Sequence, residues 1–230
     1  MPAFFFLLVY PSYFLDNTKK MLVLDLVQNV ALLLSLTVAY DFFLSRKNLS
    51  SRYSAPLAGV IFGAVTVVGM LTPVNFAPGI IFDGRSIVLT VGAYVAGPLA
   101  GFIAALVAVS FRLYLGGTGT LTGLVVIAES TLLGSLVFFW RKKSSRWEGT
   151  TRIWLLGLVV HVIMLAAQLL FLPGRAGTAV LRDMGLTVLI FYPLAFLLII
   201  RIFLANRERF TTQLSLEESE SRYRGLFENT

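Results

Sequence analysis

The chain has 230 residues, of which 57% are hydrophobic and 13% charged, with a net charge of +7 and a mean hydropathy of +0.82. Soluble domains carry about 25% charged residues, so this composition excludes an ordinary soluble domain and reads as an all-α integral membrane protein, a polytopic helical bundle. Cysteine is absent and histidine occurs once, at His161, which removes disulfides, thiol catalysis and a histidine-rich metal site, and no cofactor is expected.

Residues 1–20, MPAFFFLLVYPSYFLDNTKK, have no basic region ahead of their apolar run and no small-residue cleavage site. They read as an interfacial N-terminal segment rather than a signal peptide. Apolar windows then fall at residues 21–44, 55–72, 85–96, 98–115, 121–140, 153–172 and 185–205, which predicts about seven helices. The third and fourth belong to the stretch Pro78 to Gly117, PGIIFDGRSIVLTVGAYVAGPLAGFIAALVAVSFRLYLGG, interrupted by Gly97 and Pro98. A single span needs only ~20 residues, so a short hairpin with a Gly-Pro tip is the economical reading. Its first arm offers ~12 residues, about 18 Å, and the hairpin either spans or is re-entrant with its tip buried in protein. Small residues at Gly92, Ala96, Ala100, Ala104 and Ala108 recur every fourth position, as close helix approach requires. Pro193 is expected to kink the last helix.

Three basic clusters set the topology: Arg46, Lys47 and Arg52; Arg141, Lys142, Lys143, Arg146 and Arg152; and Arg201, Arg207 and Arg209. Their place beside apolar runs fits membrane topology and lipid headgroups better than nucleic acid, which is not expected as a partner. Putting all three in the cytoplasm needs an even number of crossings between them. Seven spans supply this and place the N-terminus outside, with Lys19 and Lys20 as the cost. From Arg201 the chain turns polar, so residues 206–230 read as a cytoplasmic connector helix and the start of a further domain.

Arg85 and Arg112 bracket the hairpin about 12 and 14 residues from its tip, so at ~1.5 Å per residue they share one depth. Two guanidiniums there repel unless an anion lies between them, and guanidinium pairs suit carboxylate or phosphate. Protein candidates for that anion are Asp83, which also stands where an N-cap would, Glu129 within the fifth helix, and Asp25. Glu129 is either the counter-ion of Arg112 or protonated. Asp25, Gln28 and Asn29 share one helical face. Under the topology above they join Asn75, Arg85, Arg112, Glu129 and Gln168 in the outer half of the bundle, as a polar pocket for a small ligand requires. The loop GGTGTLTG adds Gly116, Gly117 and Thr118, with exposed backbone N–H groups and a hydroxyl at a helix start. His161 reads as a hydrogen-bonded core residue. No nucleophile, acid–base pair or phosphate loop occurs, so the chain carries no catalytic constellation.

The segments PGIIFDGRS, GPLAGFIAAL and FRLYLGGTG, in this order, resemble the five-transmembrane LYT-type sensor region of bacterial LytS-like receptor histidine kinases, over roughly residues 25–205. SESRYRGLFENT resembles the opening of a PAS domain. The resemblance implies domains at 21–205, the sensor, and 206–230, the connector and PAS start. It implies a homodimeric input module in the bacterial inner membrane, C-terminus in the cytoplasm, serving a histidine kinase with a response regulator or a diguanylate cyclase. It further implies a small carboxylate such as pyruvate as ligand, with Arg85 and Arg112 as the holding arginines. The leading expectation is therefore a receptor for a small anionic metabolite. A small-solute transporter and a sensor of membrane state, in which the arginines only pair with Asp83 and Glu129, are the alternatives.

Overall fold

The structure, a computed structural model, describes residues 51–77 and 79–228 together with Ala31. The N-terminal segment and the predicted first span, with Asp25, Gln28 and Asn29, lie outside the described residues. Six helices follow in order: α1 (Ser51–Leu71), α2 (Arg85–Ala96), α3 (Pro98–Leu115), α4 (Thr120–Lys143), α5 (Thr150–Phe171) and α6 (Ala176–Glu228). Among the described residues, five helices are long and apolar enough to cross a membrane, and α2 is the short exception. The protein is a multi-pass membrane protein.

The break at Gly97 and Pro98 is where α2 ends and α3 begins. Gly97 adopts φ 94°, which a side chain resists, and Pro98 opens α3 at a first-turn position where its missing N–H costs nothing. At 12 residues α2 is about 18 Å long, too short to cross a hydrocarbon core of about 30 Å. It is nevertheless the centre of the bundle. Every residue from Arg85 to Tyr94 is buried, and α2 packs against all five other helices.

Small residues permit this density. A Cβ built on Gly134 of α4 would lie 2.5 Å from the Thr90 carbonyl oxygen of α2, and one on Gly59 of α1 would lie 2.7 Å from the Ala100 carbonyl oxygen of α3. Ala100, Ala104 and Ala108 form the buried stripe of α3, and Arg112 continues it one turn further on.

Two features differ from the sequence expectations. Residues 74–82 form a small antiparallel hairpin, β1 (Val74–Ala77) and β2 (Ile80–Phe82), pairing Val74 with Phe82 and Asn75 with Ile81. The last helix begins at Ala176, not near residue 185: Val180 and Met184 are buried and anchor its first turns, while Arg182 and Asp183 pair at 3.0 Å on the helix. Pro193 lies inside α6 without ending it, and the helix runs on to Glu228.

At the end of the bundle remote from Arg85, a single 3-10 turn, Ser145–Glu148, joins α4 to α5. Here Arg141 lies over the Tyr94 ring at 4.8 Å and pairs with Glu148 at 3.4 Å, while Tyr94 donates to the Trp147 carbonyl at 3.2 Å. Trp140 and Trp147 stack with ring centroids 4.9 Å apart. This cationic and aromatic cluster closes the bundle beneath the α2–α3 turn.

Candidate functional site: a buried arginine pair

The opposite end is built from three backbone turns. The β-hairpin tip at Gly79, with φ 79°, lies against the turn after α3, so closely that a Cβ there would sit 2.6 Å from the Thr118 amide nitrogen. Gly119 N–H donates to the Gly79 carbonyl at 3.0 Å and fixes the contact. The chain then leaves β2 through Asp83 and Gly84 and enters α2 at Arg85.

Asp83 and Arg85 form a closed fork. Arg85 Nε donates to Asp83 Oδ1 at 2.7 Å and Nη2 donates to Oδ2 at 2.6 Å. The Arg85 backbone N–H also donates to Oδ1, at 2.9 Å, so Asp83 caps the first amide of α2 although Gly84 occupies the N-cap position. Arg112 has no carboxylate partner among the described residues. Its Nη1 donates to the Gly116 carbonyl at 2.7 Å and its Nη2 approaches the Gly79 carbonyl at 3.4 Å. Both arginines are buried, at 5% and 2% exposure.

One nitrogen of each guanidinium is left over. Arg85 Nη1 and Arg112 Nε are buried and have no hydrogen-bond partner among the described residues. They converge on one point. A Cβ built on Gly123 of α4 would lie 2.6 Å from Arg112 Nε and 2.9 Å from Arg85 Nη1, so the two nitrogens are separated by at most the sum, 5.5 Å. That spacing is within reach of one acceptor group bonding both, at the usual 2.7–2.9 Å of a charge-assisted bond. Leaving a buried donor unpaired costs about 1–3 kcal/mol, and more when it is charged.

Both arginines line a small pocket whose cavity volume is about 20 Å³, room for about one water-sized group, at the base of a recess that opens outward. Gln168 of α5 adds an amide to its lining, Gly119 and Gly123 admit close approach, and Ile80, Val126 and Met164 make the rest apolar. Two guanidiniums and one carboxylate give the cluster a net charge of +1. The arrangement can hold and orient an anion. It contains no nucleophile, and among the described residues no three His, Cys, Asp or Glu side chains are grouped to hold a metal.

Of the sequence candidates among the described residues, the structure brings together Asp83, Arg85, Arg112 and Gln168, and not the others. Asn29 lies outside the described residues. Asn75 is exposed on β1, paired across the hairpin with Ile81, and does not line the pocket. Gly116, Gly117 and Thr118 meet protein backbone: the Gly116 carbonyl is taken by Arg112, and the Gly79 tip covers the turn. Glu129 is the clearest correction. It makes no pair with Arg112; its Oε1 accepts from the neighbouring Ser130 hydroxyl at 3.3 Å and its Oε2 has no partner. The reason is helical phase, since six residues place Glu129 about 120° round α4 from Gly123.

His161 is a core residue. Its Nδ1 donates to the Gly157 carbonyl at 2.6 Å and its Nε2 meets the Ser86 hydroxyl at 3.2 Å. Gly123, Val126 and Met164 were not anticipated as lining. The available signal for Gly123 was its spacing of four from Gly119, which puts both on one face of the helix start.

No curated protein and no solved structure matches the chain. A protein-family model, 5TM-5TMR_LYT, described as the 5TMR of 5TMR-LYT, matches residues 37–206. The match spans most of the chain and every residue of the arginine cluster, and the protein therefore belongs to the LytS-like five-transmembrane LYT sensor family, as a membrane sensor input domain.

Proposed function

We propose that this input domain binds a small monoanion between Arg85 and Arg112, a carboxylate such as pyruvate, from the outer side of the bacterial inner membrane. The observation that carries the reading is the convergence of two buried, unpartnered guanidinium nitrogens on one point. A carboxylate there would accept from both, while its organic part meets Ile80, Val126 and Met164. The net charge of +1 favours one negative charge. A dianion would leave the buried cluster negative, which desolvation penalises.

The competing reading, a sensor of membrane state, requires both arginines to be closed by protein carboxylates with no cavity between them. Only Arg85 is so paired among the described residues, and the cavity exists. This favours a soluble ligand. Occupancy would then act on α6, and through the connector on a cytoplasmic PAS domain of a homodimeric sensor kinase with its response regulator, or of a diguanylate cyclase. To shift a two-state equilibrium tenfold, the ligand must bind one state better by about 1.4 kcal/mol.

The test is titration calorimetry of the purified protein with pyruvate, lactate, acetate and formate. Saturable binding of at least one, lost in both Arg85→Ala and Arg112→Ala, is expected. Binding that survives both substitutions removes the site, and accumulation of the acid by proteoliposomes would replace sensing with transport.

A further inference from the structure

A buried hydroxyl ties the wall of the pocket to α6. Tyr192 of α6 is fully buried, and its O–H donates to the backbone carbonyl of Asp83 at 3.2 Å. Asp83 is the residue whose carboxylate holds Arg85 in its fork. The chain of contacts from the unpartnered Arg85 nitrogen to α6 therefore has only two steps, one of them bidentate.

The other side of this segment is held by a different helix. Ser86 meets His161 of α5, and the His161 ring stands edge-on to the Tyr192 ring with centroids 5.0 Å apart. Asp83 and Ser86 are thus fastened to α6 and α5 respectively, with Arg85 between them. A pull on Arg85 must load one fastening against the other.

Tyr192 also sits at the weak turn of α6. Pro193 follows it and has no N–H, so the Leu189 carbonyl lacks its helical partner. At the same level α5 and α6 pack closely: a Cβ on Gly157 would lie 2.8 Å from Phe196 and 3.2 Å from the Pro193 Cα. A hydroxyl-borne displacement at residue 192 is delivered where α6 bends most readily, and α6 continues unbroken to Glu228.

We infer that the Tyr192 hydroxyl on the Asp83 carbonyl is the joint through which occupancy of the arginine pair is read by α6. The inference rests on the ligand reading above and adds to it a residue that touches no ligand. Tyr192 is a positioning residue, and its removal separates binding from response. The rival route leaves from the far end of α2, through Tyr94, Arg141 and Glu148.

The test uses the absence of native cysteine. Spin labels at Leu155→Cys on α5 and Leu198→Cys on α6, both exposed positions beyond Pro193, report the separation of the two helices in lipid nanodiscs. The probe is the tightest of the four acids in calorimetry. In the otherwise native chain the acid is expected to shift the label distance. Tyr192→Phe should keep the dissociation constant within about threefold yet lose at least half of that shift, whereas Glu148→Gln should keep both.

If Tyr192→Phe binds and shifts like the parent, the joint alone is refuted. A loss of binding above about tenfold with an unchanged melting temperature makes Tyr192 part of the site and also refutes it. Loss of the shift in Glu148→Gln, with Tyr192→Phe intact, assigns the signal to the rival route. If none of the acids binds the native chain, the ligand reading fails first and takes the joint with it. Should Tyr192→Phe not fold, Pro193→Ala supplies the missing N–H while keeping the hydroxyl, and the joint then requires retained binding with a reduced shift.

Discussion

Gly123→Ala tests the anion site with a single added methyl. The added methyl would lie 2.6 Å from Arg112 Nε and 2.9 Å from Arg85 Nη1, against the two nitrogens that the bridging acceptor is proposed to reach. Neither arginine can simply step aside. Arg112 is pinned by its 2.7 Å bond to the Gly116 carbonyl, and Arg85 by its fork on Asp83. Two charge-assisted hydrogen bonds contribute about 1.5–3 kcal/mol each, so their joint loss of about 3–6 kcal/mol lowers affinity by roughly two to four orders of magnitude. Helix propensity works the other way, because Ala inside a helix is favoured over Gly by about 1 kcal/mol and offsets part of the crowding. The expected signature is therefore abolished binding in calorimetry, with a melting temperature in detergent lowered by whatever part of a crowding cost of about 1–3 kcal/mol helix propensity leaves uncompensated. Affinity within about threefold of the parent would place the ligand elsewhere and refute the reasoning.

Arg112→Lys keeps the charge and can still reach the Gly116 carbonyl, but it lacks the side-on Nε–H; one bond of about 1.5–3 kcal/mol is lost, and calorimetry should show affinity reduced by about 10- to 150-fold. Asp83→Asn opens the buried fork and should cost about 3–5 kcal/mol of stability, measured by thermal unfolding. Because that change raises the cluster from +1 to +2, malonate should gain on acetate in competition calorimetry, and an unchanged ratio would contradict the charge reading. Glu129→Gln should leave affinity unchanged and stability within about 1 kcal/mol, since the carboxyl bonds only Ser130 and stands apart from the arginines. A large loss of binding in that variant would restore the counter-ion role that the geometry denies it.

The hairpin could be read from sequence because it rests on arithmetic. Thirty apolar residues are too many for one span, Gly97 and Pro98 can neither continue α2 nor be avoided, and equal distances from that break put Arg85 and Arg112 side by side. The β-hairpin could not be read, since strands of four and three residues are too short to establish a period of two, and VNFA and IIF pass for loop between longer apolar windows. The start of α6 was hidden by Arg182 and Asp183, which break an apolar window although they satisfy each other. The polar loop after α3 reads, from sequence, as ligand-facing backbone. The tip at Gly79 occupies it instead, a contact between segments about forty residues apart that no local pattern announces. Glu129 misled for a related reason: depth in the membrane can be counted along a sequence, but direction round the helix decides whom a side chain meets. The Tyr192 joint depends on a backbone carbonyl 109 residues away, and such acceptors leave no compositional trace.

Because α2 is enclosed by the other five helices, it has no boundary with the acyl chains. Its 12 residues would be a severe hydrophobic mismatch for a lipid-facing segment, which bilayers relieve by thinning or by tilting the helix. Here the neighbours absorb that mismatch, and Arg141 fills the depth left below the α2–α3 turn. The helix bearing Arg85 is consequently uncoupled from bilayer thickness, and the outer helices can tilt with the lipid while the arginine pair keeps its spacing. Ligand affinity in short-chain and long-chain phosphatidylcholine should then agree, which is the property a chemical receptor needs in a membrane whose lipid composition varies with growth.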